Sequence, residues 1–408
     1  MTDLGSVVII GGGLAGAKTA EALREGGFEG TVVLAASEHR LPYERPPLSK
    51  GYLAGSAPFE EAVVHPADWY SVNSIELFLG CTATAIDRVA HTVTLDDGSS
   101  LSYDRLVLAT GSAPRLLSVP GADGEGVHYL RTVEDADALK AVFGDGRRIV
   151  LIGAGWIGLE VAATARGAGC EVVVVESADL PLLGVLGPEV AASFADLHRS
   201  HGVDLRLGAS VGSILLEDGK VAGVEVDGER VPADCVVIGI GVRPLVDLAE
   251  AAGLEVDNGI LVDASLRTSD PDIHAVGDIA NVDHPVLGRR IRVEHWATAL
   301  NQPAIAVAAL LGEDARWEDL PYFFSDQYDL GMEYLGNAPP GSYEQVVIRG
   351  DLEGREYVAF WLDASHRILA AMNVNVWDVL DQIKPLILSG KPVDPAQLGD
   401  PDVTYDAL

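Results

Sequence analysis

The residues best placed to do chemistry in this chain are glycines. Gly11, Gly13 and Gly16 stand in Val7-Val8-Ile9-Ile10-Gly11-Gly12-Gly13-Leu14-Ala15-Gly16, and Gly153, Gly155 and Gly158 in Ile149-Val150-Leu151-Ile152-Gly153-Ala154-Gly155-Trp156-Ile157-Gly158. Both sets have the GxGxxG spacing. The first glycine makes a tight turn, the second lets backbone approach a pyrophosphate, and the third lets helix and strand pack closely. The phosphate then meets free N–H groups and the positive end of a helix dipole. One such motif is weak evidence, whereas two copies, each between an apolar run and a helical stretch, imply two bound dinucleotides. Hydride transfer between a nicotinamide and a flavin is the simplest chemistry that needs both.

The acidic residue after the second unit separates the two nucleotides. Glu176 ends that unit's second strand, where a carboxylate accepts hydrogen bonds from ribose hydroxyls and repels a 2′-phosphate. Ser177, Ala178 and Asp179 follow, with no Arg or Lys. This unit reads as an NADH site. At the matching place the first unit has Ala36, then Ser37 and Glu38, either of which could reach an adenosine ribose. It is assigned to FAD by its place at the start of the chain and by three later strand ends. These are Leu106 to Gly111, closing on Ala109-Thr110-Gly111; Ile273 to Asp278, closing on Gly277-Asp278; and Val236 to Pro244, carrying Gly239 and Gly241.

The elements that must position these residues follow from hydrophobic period. Val7–Ile10, 31–34, Ile149–Ile152 and 172–175 are continuous apolar runs, as expected for strands buried on both faces of a parallel sheet. Helical stretches to about Glu25 and about Gly167 complete two βαβ units. The predicted class is α/β, with two Rossmann-like nucleotide-binding domains and a C-terminal α+β domain.

The totals limit the partners. The 408 residues carry 61 Asp plus Glu against 28 Lys plus Arg, a net charge of −33. Such a field repels polyanions, so nucleic acid and anionic membranes are disfavoured. Cys81, Cys170 and Cys235 form no CxxC motif, which argues against a disulfide framework, a metal site or an iron–sulfur cluster. They read as buried hydrophobes. With no basic region before Val7 and no apolar run of membrane-spanning length, the expectation is a cytoplasmic protein.

Three further stretches are more specific: Leu41-Pro42-Tyr43-Glu44-Arg45-Pro46-Pro47-Leu48-Ser49-Lys50, Val293-Glu294-His295-Trp296-Ala297-Thr298-Ala299-Leu300-Asn301-Gln302, and Phe323-Phe324-Ser325-Asp326-Gln327-Tyr328. With the glycine motifs, they resemble the FAD-dependent NADH:ferredoxin reductases of bacterial oxygenase systems, which have a glutathione-reductase-like fold. The resemblance covers nearly the whole chain. It implies a discontinuous FAD domain at about 1–113 and 240–318, an NADH domain at about 114–239 and a C-terminal domain at about 319–408. It implies FAD contacts at Leu14, Ala15, Ser37, Glu38, Arg45, Pro46, Lys50, Ala83, Arg131, Asp278, Glu294, His295, Trp296 and Ala297, and NADH contacts at Ile157, Gly158, Glu160, Glu176 and Gly241. Where the family often has Trp near the nicotinamide, this chain has Phe324, which keeps a π-face but no N–H donor.

Hydride moves directly between carbon and nitrogen, so no protein acid or base is required. Lys50 and Glu160 are the expected catalytic pair: they should meet beside the flavin, Lys50 holding positive charge there and Glu160 placing the nicotinamide amide. The resemblance implies that the electrons then leave for a [2Fe–2S] ferredoxin serving an oxygenase of cytochrome P450 or Rieske type. Arg289, Arg290 and Arg292, with Lys384, are candidate docking charges against an acidic ferredoxin. An NADH oxidase and a redox sensor without an efficient ferredoxin are the alternatives. The proline-rich loop and the first helix carry no cysteine for disulfide or peroxide chemistry.

Overall fold

The computed structural model describes residues 4–408. Contacts group the chain into two compact units. One holds the N-terminal residues to Arg45 with Phe59–Ala113 and Val242–Pro321; the other holds Pro46–Pro58, Pro114–Gly241 and Tyr322–Leu408.

The first unit is built on a five-stranded sheet in the spatial order Ile273–Ala275, Arg105–Leu108, Ser6–Ile10, Thr31–Ala36, Ile75–Leu79, all parallel. Val7, Val8 and Ile9 are fully buried. β-Branched side chains on consecutive positions suit a strand covered on both faces. The helix Leu14–Glu25 buries Leu14, Ala15, Ala17, Ala20 and Leu23, and it packs against the helix Trp296–Leu310. Two three-stranded sheets add to it: an antiparallel one of Ala83–Asp87, Thr92–Leu95 and Ser100–Ser102, and a mixed one in the order Ile260–Val262, Ala280–His284, Arg289–Arg292.

The second unit repeats the plan. Its parallel sheet runs Asp204–Leu207, Glu171–Glu176, Arg148–Ile152, Cys235–Ile238, Val127–His128. The C-terminal segment adds a five-stranded antiparallel sheet ordered Tyr322–Gln327, Leu330–Gly336, Ile368–Val374, Glu356–Leu362, Gln345–Asp351. One hydrophobic core joins Leu159, Phe194 and Leu197 to Met332, Trp361 and Met372. Trp361 is fully buried, and its indole N–H donates to the Leu186 carbonyl at 3.1 Å. The C-terminal segment thus shares a core with the second nucleotide-binding sheet. The proline-rich segment Pro46–Pro58 groups with this unit too, although its motif was expected to serve the FAD-binding part. Leu53 is the anchor, since it is buried in the same core.

Cys170 and Cys235 are buried free thiols, and burial pushes Cys235 up to about 12. Cys81 is only half-buried, at the loop after a strand end, so it is not the core hydrophobe expected.

Buried histidines link stability to pH. His198 and His274 are 0% and 1% exposed, and burial pushes each down to about 4. The unfolded chain takes a proton near 6.5 that the folded chain refuses, so their contribution is fully present above pH 6.5 and is lost as pH falls toward 4. A shift of this size corresponds to roughly 3 kcal/mol per histidine. Thermal unfolding followed from pH 7 to pH 4 should show a steep fall in Tm. His274, with no hydrogen-bond partner for either ring nitrogen among the described residues, gives the control: His274→Leu should flatten the curve. An unchanged slope would remove that residue from the account.

Candidate functional site

In each fingerprint the first and third glycines are required by the protein's own backbone and the middle one is not. Gly11 and Gly153 have φ of +128° and +101°, and a Cβ on them would lie 2.1 Å from the Ala109 carbonyl oxygen and 2.4 Å from that of Gly239. A Cβ on Gly16 or Gly158 would lie 1.9 or 2.4 Å from the Gly11 or Gly153 carbonyl oxygen. These four are closed to side chains by backbone. Gly13 and Gly155 differ, because a Cβ there meets nothing within 4 Å. Each is the N-cap of its helix, with no side-chain cap and no acidic residue in the first turn. The unfilled space beside free N–H groups fits a pyrophosphate at both turns.

Glu176 closes the second cradle. Its carboxylate accepts from the backbone N–H of Ala154 at 2.7 Å and of Ala178 at 2.9 Å, which fixes it beside the glycine turn. In the first cradle, Ser37 is exposed at the end of Thr31–Ala36, while Glu38 is held by Arg45 and by the Tyr43 hydroxyl, both at 2.5 Å. Glu38 is therefore the immobilised carboxylate of the two candidates, and Arg45 acts on it directly.

The other expected flavin contacts of the first unit lie on loops at the ends of its sheet strands. Ala109, Thr110 and Gly111 follow Arg105–Leu108, and the Thr110 hydroxyl donates to the Leu245 carbonyl at 2.7 Å. Gly277 and Asp278 follow Ile273–Ala275; Gly277 has φ +75°, and its N–H donates to the Gln302 side-chain oxygen at 2.8 Å. Gln302 is fully buried, and its Nε2 has no partner among the described residues. Gln302 closes the 293–302 stretch in the sequence, where nothing local marks it as the Gly277 acceptor. Trp296 opens the helix Trp296–Leu310 with its indole N–H on Glu44 at 3.0 Å; Glu294 is exposed, His295 is half-buried and Ala297 is buried. Ala83 begins its strand half-buried.

Pro46, Lys50, Arg131, Gly239, Gly241 and Phe324 belong to the second unit. Arg131 sits just before the helix Val133–Val142, whose Thr132 and Asp135 form a capping box. Gly239 follows the strand Cys235–Ile238, and Gly241 has φ +91°.

Lys50 and Glu160 meet. Lys50 Nζ lies 2.9 Å from Glu160 Oε2, with side-chain exposures of 19% and 4%. Glu160 is the fifth residue of the helix Trp156–Gly167, and Thr164, one turn on and on the same face, donates its hydroxyl to the Ser49 carbonyl at 2.9 Å. The helix thereby holds the loop that carries Lys50. Two serines complete the carboxylate: Ser49 donates to Oε2 at 2.5 Å and Ser325 to Oε1 at 2.7 Å. Lys50 Nζ also stands 5.4 Å from the centre of the Phe324 ring, within cation–π range. Ile157, 48% exposed on the first turn of the same helix, leaves an apolar surface beside the cradle. Among the described residues no group of three or more His, Cys, Asp or Glu could hold a metal, and no helix is long and apolar enough to cross a membrane.

One docking candidate is corrected. Arg289 and Arg290 are exposed on the strand Arg289–Arg292, but Arg292 has only 8% of its side chain exposed. It is ion-paired to Glu294 and donates to the Asp278 carbonyl and to Asn258, both at 3.1 Å. It braces the Gly277-Asp278 loop and is not a surface charge.

Residues 5–303 match the model of the pyridine nucleotide-disulphide oxidoreductases, and residues 322–408 match that of the reductase C-terminal domain. The chain is 45% identical to the ferredoxin–NAD(+) reductase component of an anthranilate 1,2-dioxygenase system from Burkholderia cepacia, over 97% of both chains. It is 42% identical to a putidaredoxin reductase from Pseudomonas putida, over 98% of this chain and 95% of that one. It superposes on the reductase of a covalent putidaredoxin reductase–putidaredoxin complex with a TM-score of 0.94 and 41% identity, over 98% and 97% of the two chains. With two glycine cradles, a fixed Glu176 and a Lys50–Glu160 pair in place, the chain belongs to the ferredoxin reductases of bacterial oxygenase systems, within the pyridine nucleotide-disulphide oxidoreductase family.

Proposed function

We propose that this protein takes hydride from NADH onto FAD and delivers single electrons to a [2Fe–2S] ferredoxin that supplies an oxygenase. The observation that carries this reading is the pair of open cradles, at Gly13 and Gly155, of which the second ends on an immobilised Glu176. We assign FAD to the first cradle with the loops at Thr110, Asp278 and Trp296, and NADH to residues 114–239. When bound, the two nucleotides supply the hydride donor and acceptor. Gly13 and Gly155 seat pyrophosphates, Glu176 binds ribose hydroxyls, and Lys50 and Glu160 give fixed charges where the nicotinamide amide is placed. Phe324 offers that ring a π-face and lacks the N–H of a Trp.

Anaerobic stopped-flow mixing of the yellow protein with NADH, with NADPH, and then with a panel of [2Fe–2S] ferredoxins tests the reading. Rapid bleaching by NADH, at least about tenfold weaker use of NADPH (each tenfold is about 1.4 kcal/mol) and rapid oxidation by one ferredoxin are expected. Fast bleaching with no ferredoxin accepting electrons would leave the dehydrogenase half and overturn the acceptor.

As docking charges for the electron carrier we propose Arg289 and Arg290 of the first unit and, separately, Lys384 of the second, in a chain of net charge −33. Raising salt from 50 to 300 mM should slow reduction of an acidic ferredoxin, and Arg289→Glu with Arg290→Glu should slow it further by about tenfold. A rate that rises or stays level with salt would reject the patch.

A further inference from the structure

Glu160 stands at one end of a hydrogen-bonded chain that crosses the second unit to Tyr328. Ser325 Oγ lies 2.7 Å from Glu160 Oε1, and Gln327 Nε2 lies 3.2 Å from Ser325 Oγ. His198 Nε2 lies 2.8 Å from Gln327 Oε1, and the Tyr328 hydroxyl lies 3.3 Å from His198 Nδ1. Ser325, Gln327 and His198 are 1%, 1% and 0% exposed, so water competes for none of them. Ser325 and Gln327 alternate along one face of the strand Tyr322–Gln327, while His198 comes from the helix Leu183–Ser200.

Elementary donor and acceptor rules give this chain one direction. An ionised carboxylate only accepts, so Ser325 must aim its O–H at Glu160. The Ser325 oxygen then accepts from the Gln327 amide nitrogen, which turns Gln327 Oε1 toward His198. That oxygen needs a donor, so His198 carries its proton on Nε2, leaving Nδ1 to accept from Tyr328. Every O–H and N–H from Tyr328 to Ser325 therefore points toward Glu160, and aligned donors polarise one another in a site without water. Ser325 could otherwise swing to a different staggered rotamer and leave one oxygen of a buried carboxylate without a donor, at a cost.

We propose that Gln327 and His198 are positioning residues for hydride transfer, holding Ser325 as a donor to Glu160 so that the carboxylate keeps one orientation toward the nicotinamide. The proposal rests on the assignment of Glu160 to the nicotinamide amide. Residues on the far side of the carboxylate from Lys50 thus serve the same function through a relay of fixed dipoles. Burial pushes His198 down to about 4, so it is neutral throughout the neutral range, and its contacts with Gln327 and Tyr328 select the Nε2–H tautomer.

A double-mutant cycle on the holoenzyme separates positioning from bulk stability. Gln327→Leu keeps the volume and removes both links; it should lower the limiting rate of flavin reduction by NADH about tenfold, while in a Glu160→Gln background it should change that rate less than about twofold. His198→Leu should behave like Gln327→Leu, and His198→Gln, which restores a donor near the Nε2 position, should recover most of the rate. Tyr328→Phe keeps the ring stacked on His201, 3.7 Å away, and should show a smaller loss with the same non-additivity. It serves as the second variant if Gln327→Leu does not fold. Equal losses in the two backgrounds, or full activity in Gln327→Leu, would overturn the relay. If Glu160→Gln itself reduces as fast as the parent, the assignment of Glu160 fails, and that result is distinct from additivity.

Discussion

Gly155→Val should fold like the parent, keep FAD and lose NADH. Gly155 has φ −79° and ψ −178°, an extended backbone open to any residue, and a Cβ there meets nothing within 4 Å. The folded chain alone has no reason to resist the side chain. The bound nucleotide has, because an isopropyl group would occupy the approach of the pyrophosphate to the helix N-terminus. NADH affinity should fall by about a hundredfold or more, roughly 3 kcal/mol, with Tm and the FAD spectrum unchanged. Gly158→Ala makes the opposite prediction. Its single methyl would sit 2.4 Å from the Gly153 carbonyl oxygen. Helix and strand must part, which costs about 3 kcal/mol and lowers Tm before any ligand is added. Thermal unfolding of the two variants and NADH titration of Gly155→Val check the pair. A Gly155→Val protein that binds NADH normally would remove the second cradle from the nucleotide assignment.

Lys50→Met should be the more damaging half of the charge pair. Glu160 is 4% exposed, and Lys50 is its only salt-bridge partner among the described residues. Removing the ammonium leaves a carboxylate with two serine donors and no counter-charge, and breaking a buried pair this way costs about 3–5 kcal/mol. Glu160→Gln leaves Lys50, 19% exposed, able to reach water. It should therefore cost less stability while slowing flavin reduction by NADH. The double variant Lys50→Met, Glu160→Leu should recover much of the stability lost in Lys50→Met, because no buried charge is stranded, yet remain slow in the hydride step. Denaturant unfolding and stopped-flow reduction on the same samples would separate the two effects. If the double variant unfolds as easily as Lys50→Met, the loss comes from packing and the charge argument falls.

The repeated strand–turn–helix units are legible in the residue order, because the period of apolar residues and the GxGxxG spacing are local properties. Both predicted helices end where the spacing placed them, at Glu25 and Gly167. Glu176 as the acidic strand end is also a local reading, since a fixed number of residues along a strand and helix sets its reach. The meeting of Lys50 and Glu160 was legible only through resemblance, since nothing in the intervening chain specifies their distance.

Residues from distant segments meet only through packing. Ser49 and Ser325 converge on one carboxylate because the helix Trp156–Gly167 packs against both the proline-rich loop and the strand Tyr322–Gln327. The grouping of Pro46–Pro58 with the second unit follows from burial of Leu53, which has no periodic signature in so short a segment. Arg292 looked like its neighbours Arg289 and Arg290 and shares a strand face with Arg290; what sets it apart is the set of acceptors within reach, Asn258, the Asp278 carbonyl and Glu294. The relay from Glu160 to Tyr328 depends on the same kind of fact: a hydrogen bond is set by an approach within about 3 Å, and sequence spacing carries no such distance between separate elements.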